Sequence, residues 1–219
     1  MTLPRLAGPS QSPASGGPAR QLVVMLHGVG ADGNDLIALA DFIAEALPDA
    51  AFVAPDGPFA YDMAPFGRQW FSLADRSAEA IGGGVRTAAP IVDAFLDEQL
   101  ALHGLEDNAL VLLGFSQGSM MALHVALRRK RPCAAVLAYS GALTMPEALP
   151  GEIVSRPRVL LVHGEADEVV NPLCLPAAER ALAAVGVPVV AELRPGLGHG
   201  IDGEGARLGV AFLAQTFAT

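Results

Sequence analysis

The chain has 219 residues, 52% of them apolar, and carries 14 Lys and Arg against 23 Asp and Glu, for a net charge of −9. That length suits one α/β domain with a sizeable core, and the negative charge argues against nucleic acid as a partner, because phosphate binding needs clustered cations. Cys133 and Cys174 have no CxxC or His spacing, which supports neither a metal site nor a disulfide framework; reduced thiols in a cytoplasmic protein are the expectation, and no stretch is apolar enough for stable membrane insertion.

Residues 1–20 hold Pro4, Pro9, Pro13, Pro18, Gly16 and Gly17 without an apolar run, and read as a flexible N-terminal arm ahead of a folded domain spanning 21–219. Gln21 to His27 is continuously apolar between its two end residues, from Leu22 to Leu26, the signature of a strand buried on both faces of a parallel sheet. Leu36, Leu39, Phe42, Ile43, Ala46 and Leu47 recur at helical spacing, and Ala51 to Pro55 predicts the next strand. A long connection, 59–77, crowds Tyr61, Phe66, Arg68, Trp70 and Phe71 together; loops of that length in a compact domain tend to be functional.

An amphipathic helix is predicted from about Val85 to His103, with Gly82-Gly83-Gly84 arguing against further turns before it. Ala109 to Phe115 and Ser116 to Lys130 form a strand and a helix, and the basic run Arg128-Arg129-Lys130-Arg131 falls where dipole complementarity at a helix end explains it. Strands at 134–139 and 158–163 flank an irregular, proline-marked excursion, 140–157. A helix at 175–185, a strand at 187–193 and a helix at 205–217 complete the chain. Alternating β and α with buried strands predicts an α/β fold: a mostly parallel sheet with helices on both faces and no large cap domain.

Gly114-Phe115-Ser116-Gln117-Gly118 sits at the junction of the central strand and its helix. A serine presented on so tight a turn needs small neighbours, because a Cβ two residues away would collide with the adjoining elements. Asp167, just after the 158–163 strand, and His199, within Gly196-Leu197-Gly198-His199-Gly200, follow in the order Ser, Asp, His expected of an α/β-hydrolase. His199 would take the Ser116 proton, and Asp167 would fix its tautomer. Activity should then fall on the acidic side near the imidazole pKa of roughly 6 to 7.

Three rival readings stand beside this one. Gly28-Val29-Gly30-Ala31-Asp32-Gly33 matches the dinucleotide fingerprint, with Asp56 placed as the ribose acid, but it leaves Ser116, Asp167 and His199 unexplained. An acyltransferase would use the same three residues, and a non-catalytic binding module would have kept only the fold. Trp70 and Phe71 read either as a pocket wall or as plain packing under the loop, and Met145, with Met63 and Leu149, as further candidates for acyl contact; an open site without a cap domain favours short to medium chains.

The chain resembles the phospholipase/carboxylesterase family of α/β-hydrolases, a group that includes acyl-protein thioesterases and small bacterial esterases. The likeness runs from Leu22 to the C-terminus, through Leu26-His27-Gly28-Val29-Gly30, Arg68-Gln69-Trp70-Phe71, Gly114-Phe115-Ser116-Gln117-Gly118, His163-Gly164-Glu165-Ala166-Asp167 and Gly198-His199. It implies Ser116 as nucleophile, Asp167 and His199 as its partners, and the backbone N–H groups of Val29 and Gln117 as the oxyanion hole. It also implies a small ester or thioester substrate, no cofactor, and a monomer or homodimer.

Overall fold

The computed structural model describes residues 3–218. Its elements run β1 (Ser10–Gln11), β2 (Gln21–Leu26), α1 (Gly33–Ile37), α2 (Leu39–Ala44), β3 (Ala50–Val53), β4 (Phe59–Ala60), β5 (Arg68–Gln69) and α3 (Ala78–His103). Then follow β6 (Leu110–Phe115), α4 (Gln117–Ala126), β7 (Ala135–Tyr139), α5 (Leu149–Glu152), β8 (Arg158–Gly164), α6 (Cys174–Ala184), β9 (Val189–Arg194) and α7 (Gly203–Phe217). The main sheet has the order β1-β3-β2-β6-β7-β8-β9, every pairing parallel except β1 with β3.

The apolar runs of β2, β3, β6, β7 and β8 are buried because both sheet faces are covered. Val85, Val92, Leu96, Met121, Leu123 and Leu182 of α3, α4 and α6 fill one face. Leu36, Ala40, Ile43, Phe212 and Leu213 of α1, α2 and α7 fill the other. β9 is an edge strand, and its burial alternates rather than running continuous.

The order reverses between β2 and β6: the chain moves one way from β2 to β3 and the other way from β6 to β9. Loops leaving the carboxyl ends of strands at such a reversal diverge and open a crevice. The segments after β2 and β6, which begin with His27 and Ser116, therefore face each other, with those after β8 and β9 at the same end.

Four expectations change. The stretch 1–20 is not a loose arm in its described part: Ser10 pairs with Val53, the Pro9 and Ala7 carbonyls accept from Ala54 N–H and Asp56 N–H, and Arg20 N–H donates to the Asp49 carbonyl. The prolines that suggested disorder suit an edge strand, where a missing N–H faces away from the ladder. The helix expected over 35–47 is two short ones, with Phe42 turned outward.

The glycine triplet lies inside α3, which starts at Ala78 behind the N-cap Ser77. A Cβ on Gly82 would sit 2.7 Å from the Met145 thioether, and one on Gly84 2.7 Å from Phe71 Cβ, so these glycines are clearance for packing rather than a helix stop. The basic run likewise does more than meet a helix end. Arg129 is buried and binds Asp107, Asp93 and Asp97, tying the end of α4 to α3 and to the turn before β6.

Candidate active site

Ser116 is the N-cap of α4, held at φ 54° and ψ −116°, a positive φ that non-glycine residues rarely adopt. The turn closes only because its neighbours lack side chains: a Cβ on Gly114 would strike the Gly118 carbonyl, and one on Gly118 the Leu26 carbonyl of the adjacent strand. Steric clearance, read from the motif, is what the glycines provide.

His199 Nε2 lies 2.9 Å from Ser116 Oγ and its Nδ1 2.8 Å from Asp167 Oδ2. An acceptor at Nδ1 fixes the proton there and leaves Nε2 free to accept from the serine hydroxyl. The ring rests on Phe115, with centroids 4.9 Å apart, and its side chain is 17% exposed. The three residues expected to work together are thus contiguous, although they leave three different strands.

Gly164 makes the approach of the last loop feasible. Its missing side chain leaves room for the Leu197 and Gly198 carbonyls, and the Ala166 N–H donates to Leu197 O, so the histidine loop lies directly on the aspartate loop. Ser140 Oγ donates to the Gly200 carbonyl from the other side, at 3.2 Å. Glu165, on the same loop as Asp167, accepts from Gly196 N–H and braces the turn before His199.

Asp167 has no exposed side-chain surface. Burial works against its charge, but the His199 N–H and the Val170 and Val169 amides outweigh it and hold the carboxyl below its ordinary value. It is an ionised, fully engaged acceptor. Among the described residues no group of three or more His, Cys, Asp or Glu is arranged to hold a metal ion.

Val29 follows β2, and Gln117 opens α4. Neither backbone N–H has an acceptor among the described residues, so both are free to bind an incoming oxygen. Gly28 lets the loop pack closely on the strand end: a Cβ there would lie 3.1 Å from the Phe115 ring, next to Ser116.

Trp70 and Phe71 are not a pocket wall. They are 0% and 2% exposed, and Leu149 is buried with them. The role of Trp70 is to brace the loop. Its indole N–H donates to the His27 carbonyl at 2.8 Å, while the Gln117 side chain accepts from Trp70 N–H and donates to Phe71 O, both at 2.8 Å. Gly30 N–H donates to Arg68 O and Arg68 N–H to Ala31 O, stitching the motif Arg68-Gln69-Trp70-Phe71 to the loop after β2. The aromatic residues looked like pocket lining because they lie on a long connection; sequence spacing did not show that the connection folds inward. Met145 is half-buried with its thioether against Gly82, and Met63 is exposed.

The dinucleotide reading loses its phosphate site. Gly33 opens a five-residue helix whose first N–H is already bonded to Asp56, at 2.9 Å, so the expected ribose acid occupies the place of the anion. A surface groove lined by Arg86, Pro90, His124 and Arg128 contains none of Ser116, Asp167 and His199. Sequence reasoning missed one contact, His163 Nε2 at 3.1 Å from Asp167 Oδ2; its four-residue spacing from the acid was the available signal.

Comparison with known proteins identifies the family. The phospholipase/carboxylesterase family profile matches residues 12–216. The esterase YpfH of Escherichia coli (strain K12) is 29% identical over 199 residues, covering 91% of this chain and 84% of that protein. The crystal structure of esterase PE8 superposes with a TM-score of 0.93 at 41% identity, over 97% of this chain and 100% of the other. Acyl-protein thioesterase 2 of Zea mays shares the fold, with a TM-score of 0.76 at 23% identity over 95% and 99% of the two chains. The chain belongs to the phospholipase/carboxylesterase family of α/β-hydrolases, and it is a carboxylesterase-type hydrolase.

Proposed function

We propose that Ser116, His199 and Asp167 hydrolyse a small carboxylic ester or thioester through an acyl-serine intermediate. The observation that carries this reading is the unbroken hydrogen-bond chain from Ser116 Oγ through the His199 ring to Asp167, at 2.9 and 2.8 Å. Ser116 Oγ attacks the carbonyl carbon as its proton passes to His199 Nε2. Asp167 stabilises the imidazolium.

The carbonyl oxygen becomes an oxyanion, received by the unengaged N–H groups of Val29 and Gln117. A donor of this kind is worth roughly 10²–10³ in rate. The bond to the leaving group then breaks, and His199 delivers the proton to the departing alcohol or thiol. Water, deprotonated by His199, attacks the acyl carbon in turn and releases the carboxylic acid and the serine.

Among the described residues no inserted domain stands over the carboxyl end of the sheet, since the excursions 59–77 and 140–157 hold only β4, β5 and α5. That supports short to medium acyl groups, with the half-buried Met145 as a contact for the acyl chain. Two free cysteines support a cytoplasmic setting, and no helix of the described residues is long and apolar enough to cross a membrane.

A panel of p-nitrophenyl esters and acyl thioesters of graded length tests the reading. The wild type should show one chain-length optimum, and Ser116→Ala should fall by roughly 10⁴-fold or more on every member. Turnover that survives the substitution refutes it. Adding competing alcohols separates hydrolysis, which yields the free acid, from acyl transfer, which yields the new ester.

A further inference from the structure

The loop that carries Val29 is held from inside by the ring of His27. This histidine is fully buried, accepts Gly57 N–H at its Nε2 at 2.8 Å, and has Nδ1 2.7 Å from the Gly28 carbonyl oxygen. A backbone N–H can only donate, so Nε2 is the lone-pair nitrogen, the proton sits on Nδ1, and Nδ1–H donates to Gly28 O. Burial, the largest influence, holds the ring below its ordinary pKa against the Gly28 bond and the charges of Asp56, Asp32 and Asp35, which keeps it neutral and in this one tautomer.

The Gly28 carbonyl and the Val29 N–H are two ends of one peptide unit, and in a planar trans peptide they point in opposite directions. Fixing the carbonyl therefore aims the N–H. Gly28 O also accepts from Ala31 N–H at 3.3 Å, closing a turn in which Gly30 has the positive φ, 81°, that the third position of a type II turn requires. That bond is long. With glycine on one side the peptide rotates easily, and a half-turn would present a carbonyl oxygen, not an N–H, to an oxyanion.

The ring supplies the short, buried bond that opposes this rotation, and it is itself wedged. Gly57 N–H holds its far side, the Trp70 ring lies beside it with centroids 5.3 Å apart, and the indole N–H fixes the His27 carbonyl. Gly57 is kept in place by Arg68, whose Nε–H donates to its carbonyl at 2.8 Å. The segment Arg68 to Trp70 thus reaches the loop after β2 through the imidazole as well as through the backbone.

We infer that His27 is a positioning residue for the hydrolysis: its Nδ1–H holds the Gly28 carbonyl so that the Val29 N–H stays aimed at the point where negative charge develops on the substrate oxygen. This rests on the reading of Ser116 and of the Val29 N–H given above. The bonds also run in series, from Gly57 N–H to the ring, from the ring to the Gly28 carbonyl, and from Val29 N–H to the oxygen, so each polarises the next. The benefit is felt when the oxygen is charged, in the transition state rather than in the bound ester.

Two substitutions separate the halves of the ring. His27→Asn keeps an N–H donor at the δ position and has nothing in place of Nε2. His27→Gln keeps an oxygen for Gly57 N–H at the ε position and has only carbon in place of Nδ1. On a p-nitrophenyl ester, His27→Gln should lower kcat by about 10- to 100-fold with KM little changed, less than the loss of a donor outright because Ala31 still holds the carbonyl. His27→Asn should stay within about threefold of wild type.

A trifluoromethyl ketone, whose adduct with Ser116 Oγ carries a negative oxygen, should bind His27→Gln more weakly by the factor by which kcat/KM falls. Equal losses in the two variants, a larger loss in His27→Asn, or a loss in KM rather than kcat overturns the proposal. In ¹⁵N-histidine-labelled wild type, His27 should show a protonated Nδ1 and an unprotonated Nε2; the opposite tautomer overturns the proposal without any substitution. Activity surviving in Ser116→Ala would instead refute the underlying triad reading, and it leaves the His27 tautomer untouched.

Discussion

His124 should make the protein sensitive to mild acid in a way that one substitution removes. It lies in α4, 4% exposed, with Nδ1 buried and without a hydrogen-bond partner. Burial first, then the charges of Arg128 and Arg86, push the imidazole down from its ordinary 6.5 to about 4, with Glu152 acting weakly in the opposite sense. Between those values the unfolded chain binds a proton that the native protein refuses, so stability is intact above pH 6.5 and drains away as pH falls towards 4.

At 1.36 kcal/mol per pH unit the loss reaches about 2 kcal/mol by pH 5 and about 3 kcal/mol by pH 4. Urea unfolding at pH 7.5 and pH 5.0 measures it, followed through the fluorescence of Trp70, the one tryptophan and fully buried. His124→Leu should lose about 2 kcal/mol less than wild type over that interval. Other groups, Asp167 and Asp202 among them, contribute equally to both proteins and cancel. Equal losses in the two would show that the native state accepts the proton and that burial does not hold the ring neutral.

Arg129→Leu should destabilise the fold by about 1–3 kcal/mol in the same assay, because it leaves the buried Asp107 carboxylate with the exposed Arg131 as its remaining guanidinium partner; replacing Asp107 by Leu as well should recover most of that. The exposed partners Asp93 and Asp97 should add little. Trp70→Phe removes the donor to the His27 carbonyl, and should lower both stability, by about 1–3 kcal/mol in urea, and kcat, measured on a p-nitrophenyl ester. Gly83→Ala should stabilise α3 by up to about 1 kcal/mol, whereas Gly82→Ala, which meets the Met145 thioether, should destabilise; paired thermal melts distinguish them.

The sheet and its order of elements were readable because a strand buried on both faces must be apolar throughout, as Leu22 to Leu26 and Leu110 to Leu113 are. Ser116, Asp167 and His199 were nameable from glycine placement and chain order, and the structure supplied their contact. What stayed hidden was which way a connection folds. Trp70 sits in an irregular stretch, and only its bonds to His27 and Gln117 reveal that it is core.

The N-terminal prolines conveyed missing donors, which an edge strand and a disordered arm share. His163 looked like a strand terminus: the carboxylate it approaches, Asp167, stands four residues on, a spacing that hints at proximity without giving the course of the loop between them. Arg129, in a run of four basic residues, was indistinguishable from its exposed neighbours until α3 supplied two aspartates and the turn before β6 a third.

The central assignment is most directly tested by intact-mass analysis after treatment with a fluorophosphonate, followed by peptide mapping. Wild type should gain a single adduct, mapped to Ser116, with loss of esterase activity in proportion, and Ser116→Ala should gain none. Labelling of Ser116→Ala to the same extent, or an adduct mapped to another residue with activity lost in step, would contradict the assignment of Ser116 as nucleophile.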